Sequence, residues 1–136
     1  MDFDQFKKAI RRFEEMLNAY KDDNADRSDL EREAIQDSLV KRFEYSLEVA
    51  WKSCKRYLHE EGFAEAASGS PKSIIRLAGE AGIVGAVENW IRYINARQST
   101  SHDYSAEKAD QVLAVVEDFY GDVVDLYQAL SGDTWA

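Results

Sequence analysis

The run Arg97-Gln98-Ser99-Thr100-Ser101-His102-Asp103-Tyr104 holds the residues of this chain best suited to chemistry. Arginine supplies a permanent charge on a planar fork that matches phosphate. Histidine takes or gives a proton near neutral pH. Together they suffice for metal-free cleavage of RNA. An imidazole removes the proton of a ribose 2′-hydroxyl or protonates the leaving oxygen, while a guanidinium holds the scissile phosphate and offsets the charge growing on it. DNA lacks that hydroxyl, so the chemistry selects RNA and excludes DNA. Geometry sets a condition. On a continuous helix, five residues subtend about 500°, which leaves Arg97 and His102 roughly 140° apart. They meet at one phosphate if the helix ends between them, as the polar run from Gln98 to Ser101 favours, or if two subunits of a symmetric dimer pool their residues. The same residues also fit a structural role, with Arg97 over the last carbonyls of a helix, His102 in a polar turn and Tyr104 half-buried. Spacing alone does not decide between the two.

Other chemistries are thinly provisioned. Only His59 and His102 accompany the single Cys54. Cys54 and His59 lie five apart on one helical stretch and point to different faces, so they make no zinc site and no metal is expected. Gly79, Gly82 and Gly85 form a G-x-x-G-x-x-G run with no strand before it and the wrong spacing for a dinucleotide fingerprint. A lone cysteine forbids an intrachain disulfide and points to a reducing compartment. No signal-peptide pattern and no long uncharged run occur, so a soluble cytoplasmic protein is expected, with no membrane segment.

The elements that must position Arg97 read as helices throughout. Phe3, Phe6, Ile10, Phe13, Leu17 and Tyr20 make an apolar seam at gaps of three and four. The polar run from Asp22 to Arg27 is the first loop. Ser28, three before Glu31, has the spacing of a capping box and opens a long second helix to about Glu61, carrying Ile35, Leu39, Phe43, Leu47, Ala50, Trp51, Cys54 and Leu58. Gly62 ends it. Ser70 and Pro71 are the N-cap and first residue of a short helix that runs to about Gly82. Val87, Trp90, Ile91 and Ile94 form the seam of a fourth helix. Asp103 or Ser105 caps a last one built on Val112, Val116, Phe119, Val123, Tyr127 and Leu130, with Gly121 marking a close contact or a slight bend. The expected architecture is all-α, an antiparallel up-and-down bundle of four main helices plus one short helix. Residues 1–136 are read as one domain.

The formal charge of −9 is uneven along the chain. Residues 103–136 hold only Lys108 against eight acidic residues, whereas residues 64–102 hold four basic residues against three acidic ones. Broad coating by nucleic acid is excluded, but a local anion site in the middle of the chain is not. Arg76 and Arg92 are candidates to extend such a groove beside Arg97, with solvated surface as the simpler reading. Phe43, Trp51 and Trp90 are assigned to the core, Cys54 and His59 to structural roles, and Glu44 and Lys52, two helical turns apart, to the surface.

Several of these residues carry a family resemblance. The stretch from Glu31 to Lys52, above all Arg42-Phe43-Glu44-Tyr45 and Ala50-Trp51-Lys52, resembles the second-helix signature of the nucleotidyltransferase substrate-binding proteins, a branch of the HEPN superfamily. The likeness continues through Ser70-Pro71, Trp90 and the Arg97…Ser101-His102 motif, and covers nearly the whole chain in order. It implies a HEPN-like helical domain, usually a homodimer, and a partner, a minimal nucleotidyltransferase. It also implies that Arg97 and His102 are the ribonuclease site, beside which Gln98, Ser101, Arg92 and Arg76 are candidate auxiliary RNA contacts. In a subset of the family the motif extends to a tyrosine, matched here by Tyr104. There the partner transfers AMP to it as an antitoxin, placing bulk and phosphate charge beside the histidine. The residue after the motif arginine is commonly a short polar one; here it is Gln98. Gly69-Ser70 is followed by no aspartate from Pro71 to Gly85, so the chain is not the transferase, and ATP and magnesium would belong to the partner. Two functions follow: a metal-independent endoribonuclease toxin, or a non-catalytic substrate-binding subunit of a two-component nucleotidyltransferase.

Overall fold

Apolar residues at helical spacing wind into α1 (Asp4–Lys21) in the computed structural model, with Phe6, Ile10, Phe13 and Leu17 buried. The seam stops there, and Tyr20 is exposed. The structure describes residues 1–23, 26–100 and 106–136, and of residues 99, 100 and 106–108 the backbone alone. Helix α2 (Asp29–Glu60) opens on the expected capping box. The Ser28 hydroxyl accepts from the Glu31 N–H at 3.1 Å, and the Ser28 N–H donates to Glu31 Oε1 at 3.2 Å. Its first ten residues stand clear of the core, leaving Leu30 76% exposed and Ile35 only partly buried. Gly62 stops it at φ +97°, where the Gly62 and Phe63 N–H groups donate back to His59 and Leu58.

A 3₁₀ turn (Ala64–Ser68) leads to α3 (Pro71–Glu80), capped by Ser70 with Pro71 in its first turn. Gly82, at φ +78°, ends α3 in the same manner as Gly62. The chain then turns into α4 (Val87–Thr100). The expected single last helix is two, α5 (Ala106–Leu113) and α6 (Val116–Ser131). The interruption falls at Ala114–Val115, where the Val115 N–H reaches Val112 instead of a residue four back. Its physical cause is a change of neighbours, since α5 packs on α4 and α2 while α6 packs chiefly on α1 and α2. Gly121 causes no break and faces open space. Among the described residues there are thus six α-helices and no strand, in place of four main helices and one short one.

Contacts fix how the helices run. Arg42 donates to the Arg12 carbonyl (2.7 Å), buried Ser46 to Ala9 (3.2 Å) and Arg56 to Asp2 (3.3 Å), so α1 and α2 are antiparallel. Asn89 with Asp122 and Arg92 with Asp118 set α4 antiparallel to α6. At the centre, the Phe119 ring meets Phe13, Phe43, Trp90 and Tyr93 edge-to-face, with centroids 4.9–5.8 Å apart. Edge-to-face pairs align the positive ring edge with the negative face of the next ring. One residue of α6 therefore locks α1, α2 and α4 in register, and α4 is held where its last turn meets α2.

Candidate active site

Trp90, Tyr93 and Ile94 bury one side of α4 and turn Arg97, in its last helical turn, towards α2. There Arg97 Nη1 donates to Glu48 Oε2 at 2.8 Å. The pair is only partly exposed, 32% for Arg97 and 31% for Glu48, so it is less screened than a surface ion pair. Glu48 also accepts from Lys52 Nζ at 2.9 Å, one helical turn on, and from the Trp51 indole at 3.4 Å. Around Arg97 lies a cavity of about 210 Å³, lined by Leu47, Glu48 and Trp51 of α2, Pro71 at the start of α3, and Ile94, Arg97 and Gln98 of α4. The N-terminus of α3, set by its serine cap and proline, thus forms the third wall.

Two carboxylates of α2 face this guanidinium, and their environments differ. Burial pushes the Glu48 carboxyl up, but the Lys52 hydrogen bond, the Arg97 charge and the Trp51 indole outweigh it and hold its pKa below the ordinary carboxylate value. At Glu44, one turn earlier, burial dominates over the charges of Arg97 and Lys41, and the pKa is raised. Its Oε1 is shut off from solvent and meets no hydrogen-bond donor among the described residues. A guanidinium is a planar fork of N–H donors, and anchoring one nitrogen on a carboxylate is an arrangement that can orient it toward an anion.

Arg97, a candidate catalytic residue, and Gln98, a candidate auxiliary contact, line one cavity. Arg92 lies elsewhere: its guanidinium is 2.8 Å from Asp118 and turned to α6, as the roughly 140° between positions five apart requires. Arg76 is exposed on α3, in a shallow recess with Glu65, Ser73, Ile74, Leu77 and Glu80. Ser101, His102 and Tyr104 lie outside the described residues. Phe43 and Trp90 are buried as expected, whereas Trp51 is only partly buried and lines the cavity. Glu48 was not singled out by sequence, and the available signal was weak: a carboxylate four before Lys52 and three before a tryptophan. Cys54 is fully buried, which pushes its thiol up to about 12 and keeps it neutral. Among the described residues no group of three or more His, Cys, Asp or Glu side chains is placed to hold a metal ion. No described helix is long and apolar enough to cross a membrane.

The family model for nucleotidyltransferase substrate binding protein like chains matches residues 1–132. The chain belongs to the nucleotidyltransferase substrate-binding family. A relative within reach of it is the Haemophilus influenzae protein named Probable ribonuclease HepT, 33% identical over 97 residues. That alignment takes in 67% of this chain and 66% of the relative, just under two thirds of its length. Two solved structures share the fold of this family member. One, from Haemophilus influenzae, reveals the fold of a substrate binding domain of a nucleotidyltransferase; it matches at a TM-score of 0.86 and 26% identity over 96% of this chain and 99% of that one. The other, from Thermus thermophilus, matches at 0.74 and 26% identity over 92% of this chain and 98% of that one.

Proposed function

We propose that this chain is a metal-independent endoribonuclease, the toxin of a toxin–antitoxin pair, and that a partner nucleotidyltransferase controls it by adenylylating Tyr104. The observation that carries the reading is Arg97 held at the wall of a small cavity by Glu48, five residues before His102. The likeness to a protein named Probable ribonuclease HepT supports it. Arg97 binds the scissile phosphate, with Glu48 fixing the plane of its guanidinium so that little reorganisation is needed as charge develops. The ribose 2′-oxygen bonds to phosphorus, the bond from phosphorus to the 5′-oxygen breaks, and His102 moves a proton from the nucleophile or to the departing oxygen. The reading includes a HEPN-like homodimer acting in the cytoplasm on RNA and not on DNA. ATP and magnesium belong to the partner's reaction. A second reading, a non-catalytic substrate-binding subunit of a two-component nucleotidyltransferase, is favoured by the family's own description and by the solved Haemophilus influenzae domain.

Incubating the purified chain with RNA in EDTA separates the two. The nuclease reading expects cleavage that His102→Ala abolishes and that Arg97→Ala slows by about 100-fold, the usual cost of one charge-stabilising donor. Prior treatment with the partner transferase, ATP and magnesium adds AMP mass to the chain and stops cleavage, and Tyr104→Phe prevents both. An inert wild type that binds the transferase supports the second reading. Cleavage that persists in His102→Ala belongs to a contaminant and overturns the first.

A further inference from the structure

The chain is strongly acidic, yet one face of α2 is not. Lys52, Lys55, Arg56 and His59 stand at spacings of three, four and seven, which brings them into an arc of about 100° on the helix. Together they line a recess of about 310 Å³ whose opposite wall is Ala66 and Ala67 of the 3₁₀ turn. No acidic side chain lines it. Among the described residues none of Lys55, Arg56 and His59 is in a salt bridge, and Arg56 donates only to the uncharged Asp2 carbonyl, at 3.3 Å. Lys55 and Arg56, two positive charges without a carboxylate partner among the described residues, offer a local anion site on a protein of charge −9.

The recess is linked to the candidate active site through one ion pair on α2. Lys52 lines it and bonds Glu48, and Glu48 lines the Arg97 cavity and bonds Arg97. From Lys52 to His59 the row extends about 10 Å along α2, at 1.5 Å per residue. The charges are strung out in a line and do not converge on one point, the arrangement that follows a polyanionic strand and not a single phosphate group. The small alanine wall leaves room for a backbone to lie against the helix.

Resting on the nuclease reading, we infer that the face Lys52–Lys55–Arg56–His59 is the track along which single-stranded RNA enters or leaves the Arg97 cavity, held by its phosphates. It recognises backbone charge and not base identity. The sequence concealed it because residues 34–63 balance at five basic and five acidic side chains, and only the helical register separates the two signs onto different faces.

Fluorescence anisotropy with a 5′-labelled, unstructured oligoribonucleotide tests the track in a His102→Ala background, where no cleavage intervenes. Adding Lys55→Ala and Arg56→Ala is expected to weaken binding at least 10-fold. It should also flatten the slope of log K against log salt by about 1.4, at about 0.7 for each single-strand phosphate that no longer has a cation beside it. Lengthening the oligonucleotide should raise affinity in the parent and not in this variant. Lys7→Ala with Lys8→Ala, which removes two exposed charges from α1, is the control for bulk charge. Equal weakening by the control, or unchanged affinity and slope in the track variant, overturns the inference. So does a variant that keeps its RNA affinity and fails to bind the transferase instead, an outcome that would make the row a protein-docking face. A wild type that does not cleave RNA while the track variant still binds RNA more weakly sinks the nuclease reading alone. Cleavage by the wild type with a track variant that binds normally sinks the track alone.

Discussion

Glu44 and Glu48 differ by one helical turn and share one guanidinium, but they belong to opposite regimes. Glu48 has three donors and stays ionised; Glu44 has through-space attraction and burial. A carboxyl whose folded pKa is raised binds a proton more readily in the native state than in the unfolded chain. Its charged form therefore opposes folding at neutral pH, and that cost fades as pH falls through the raised pKa. Gln resembles the protonated acid in shape and charge. Glu44→Gln is accordingly expected to raise the melting temperature at pH 7, with the gain disappearing in acid below the ordinary carboxylate range. Thermal unfolding at both pH values checks this, and a variant less stable than wild type at pH 7 would show that Glu44 is better partnered than burial implies. At this scale residue type and spacing singled out Arg97 as a candidate, the family resemblance added Gln98, and the two line one cavity. Glu48 was not legible, because its role depends on two helices meeting 49 positions apart in the chain.

Among the elements, whatever rests on a few consecutive residues was legible: the Ser28 capping box, the Gly62 and Gly82 stops, and Ser70 with Pro71 opening α3. These are local hydrogen-bond and steric devices, complete within a turn or two. The division of the last helix was not legible, since α5 and α6 keep helical periodicity across it and only their packing partners change. The partial exposure of Trp51 is also a tertiary fact. Two glycines inside helices show the same divide. A Cβ at Gly121 would meet nothing within 4 Å, whereas one at Gly79 would lie 2.3 Å from Val87 Cγ2, in the first residue of α4. Valine is stiff at χ1 and yields poorly. Gly121→Ala is expected to stabilise by about 1 kcal/mol through helix propensity. Gly79→Ala, the same chemical change, is expected to destabilise by about 2 kcal/mol through overpacking. Urea denaturation of the two variants measures the signs; a stabilised Gly79→Ala would mean that the α3–α4 turn shifts freely and does not fix the entry of α4.

For the whole molecule, the Arg97 cavity is walled by α2, α3 and α4, while α1 is tied to α6 by a separate aromatic and ionic clasp. The chain beyond Ser131 folds back so that Trp135 lies under the Arg11 guanidinium, 3.9 Å from its ring centre, and edge-to-face with Tyr127 at 5.4 Å. Its indole N–H donates to Glu14 at 3.3 Å and its backbone N–H to Gln128 at 2.9 Å. Tyr120 and Arg11 also donate to Glu14, and these bonds outweigh the upward push of burial to hold its carboxyl below the ordinary value. Trp135 stands outside the residues the family model matches. Removing the ring exposes the Tyr127 edge, leaves Glu14 with one donor fewer and strips the cation–π contact. For a partly buried tryptophan this amounts to about 2 kcal/mol, below the 3–5 kcal/mol of a core position. Because no atom of the clasp lines the Arg97 cavity or the basic recess, Trp135→Ala is expected to lower the urea midpoint while RNA affinity in the His102→Ala background stays as it was. A fall in RNA affinity at temperatures where the variant remains folded would mean that α1 and α6 transmit strain to the site through Phe119, the ring that joins α1, α2, α4 and α6.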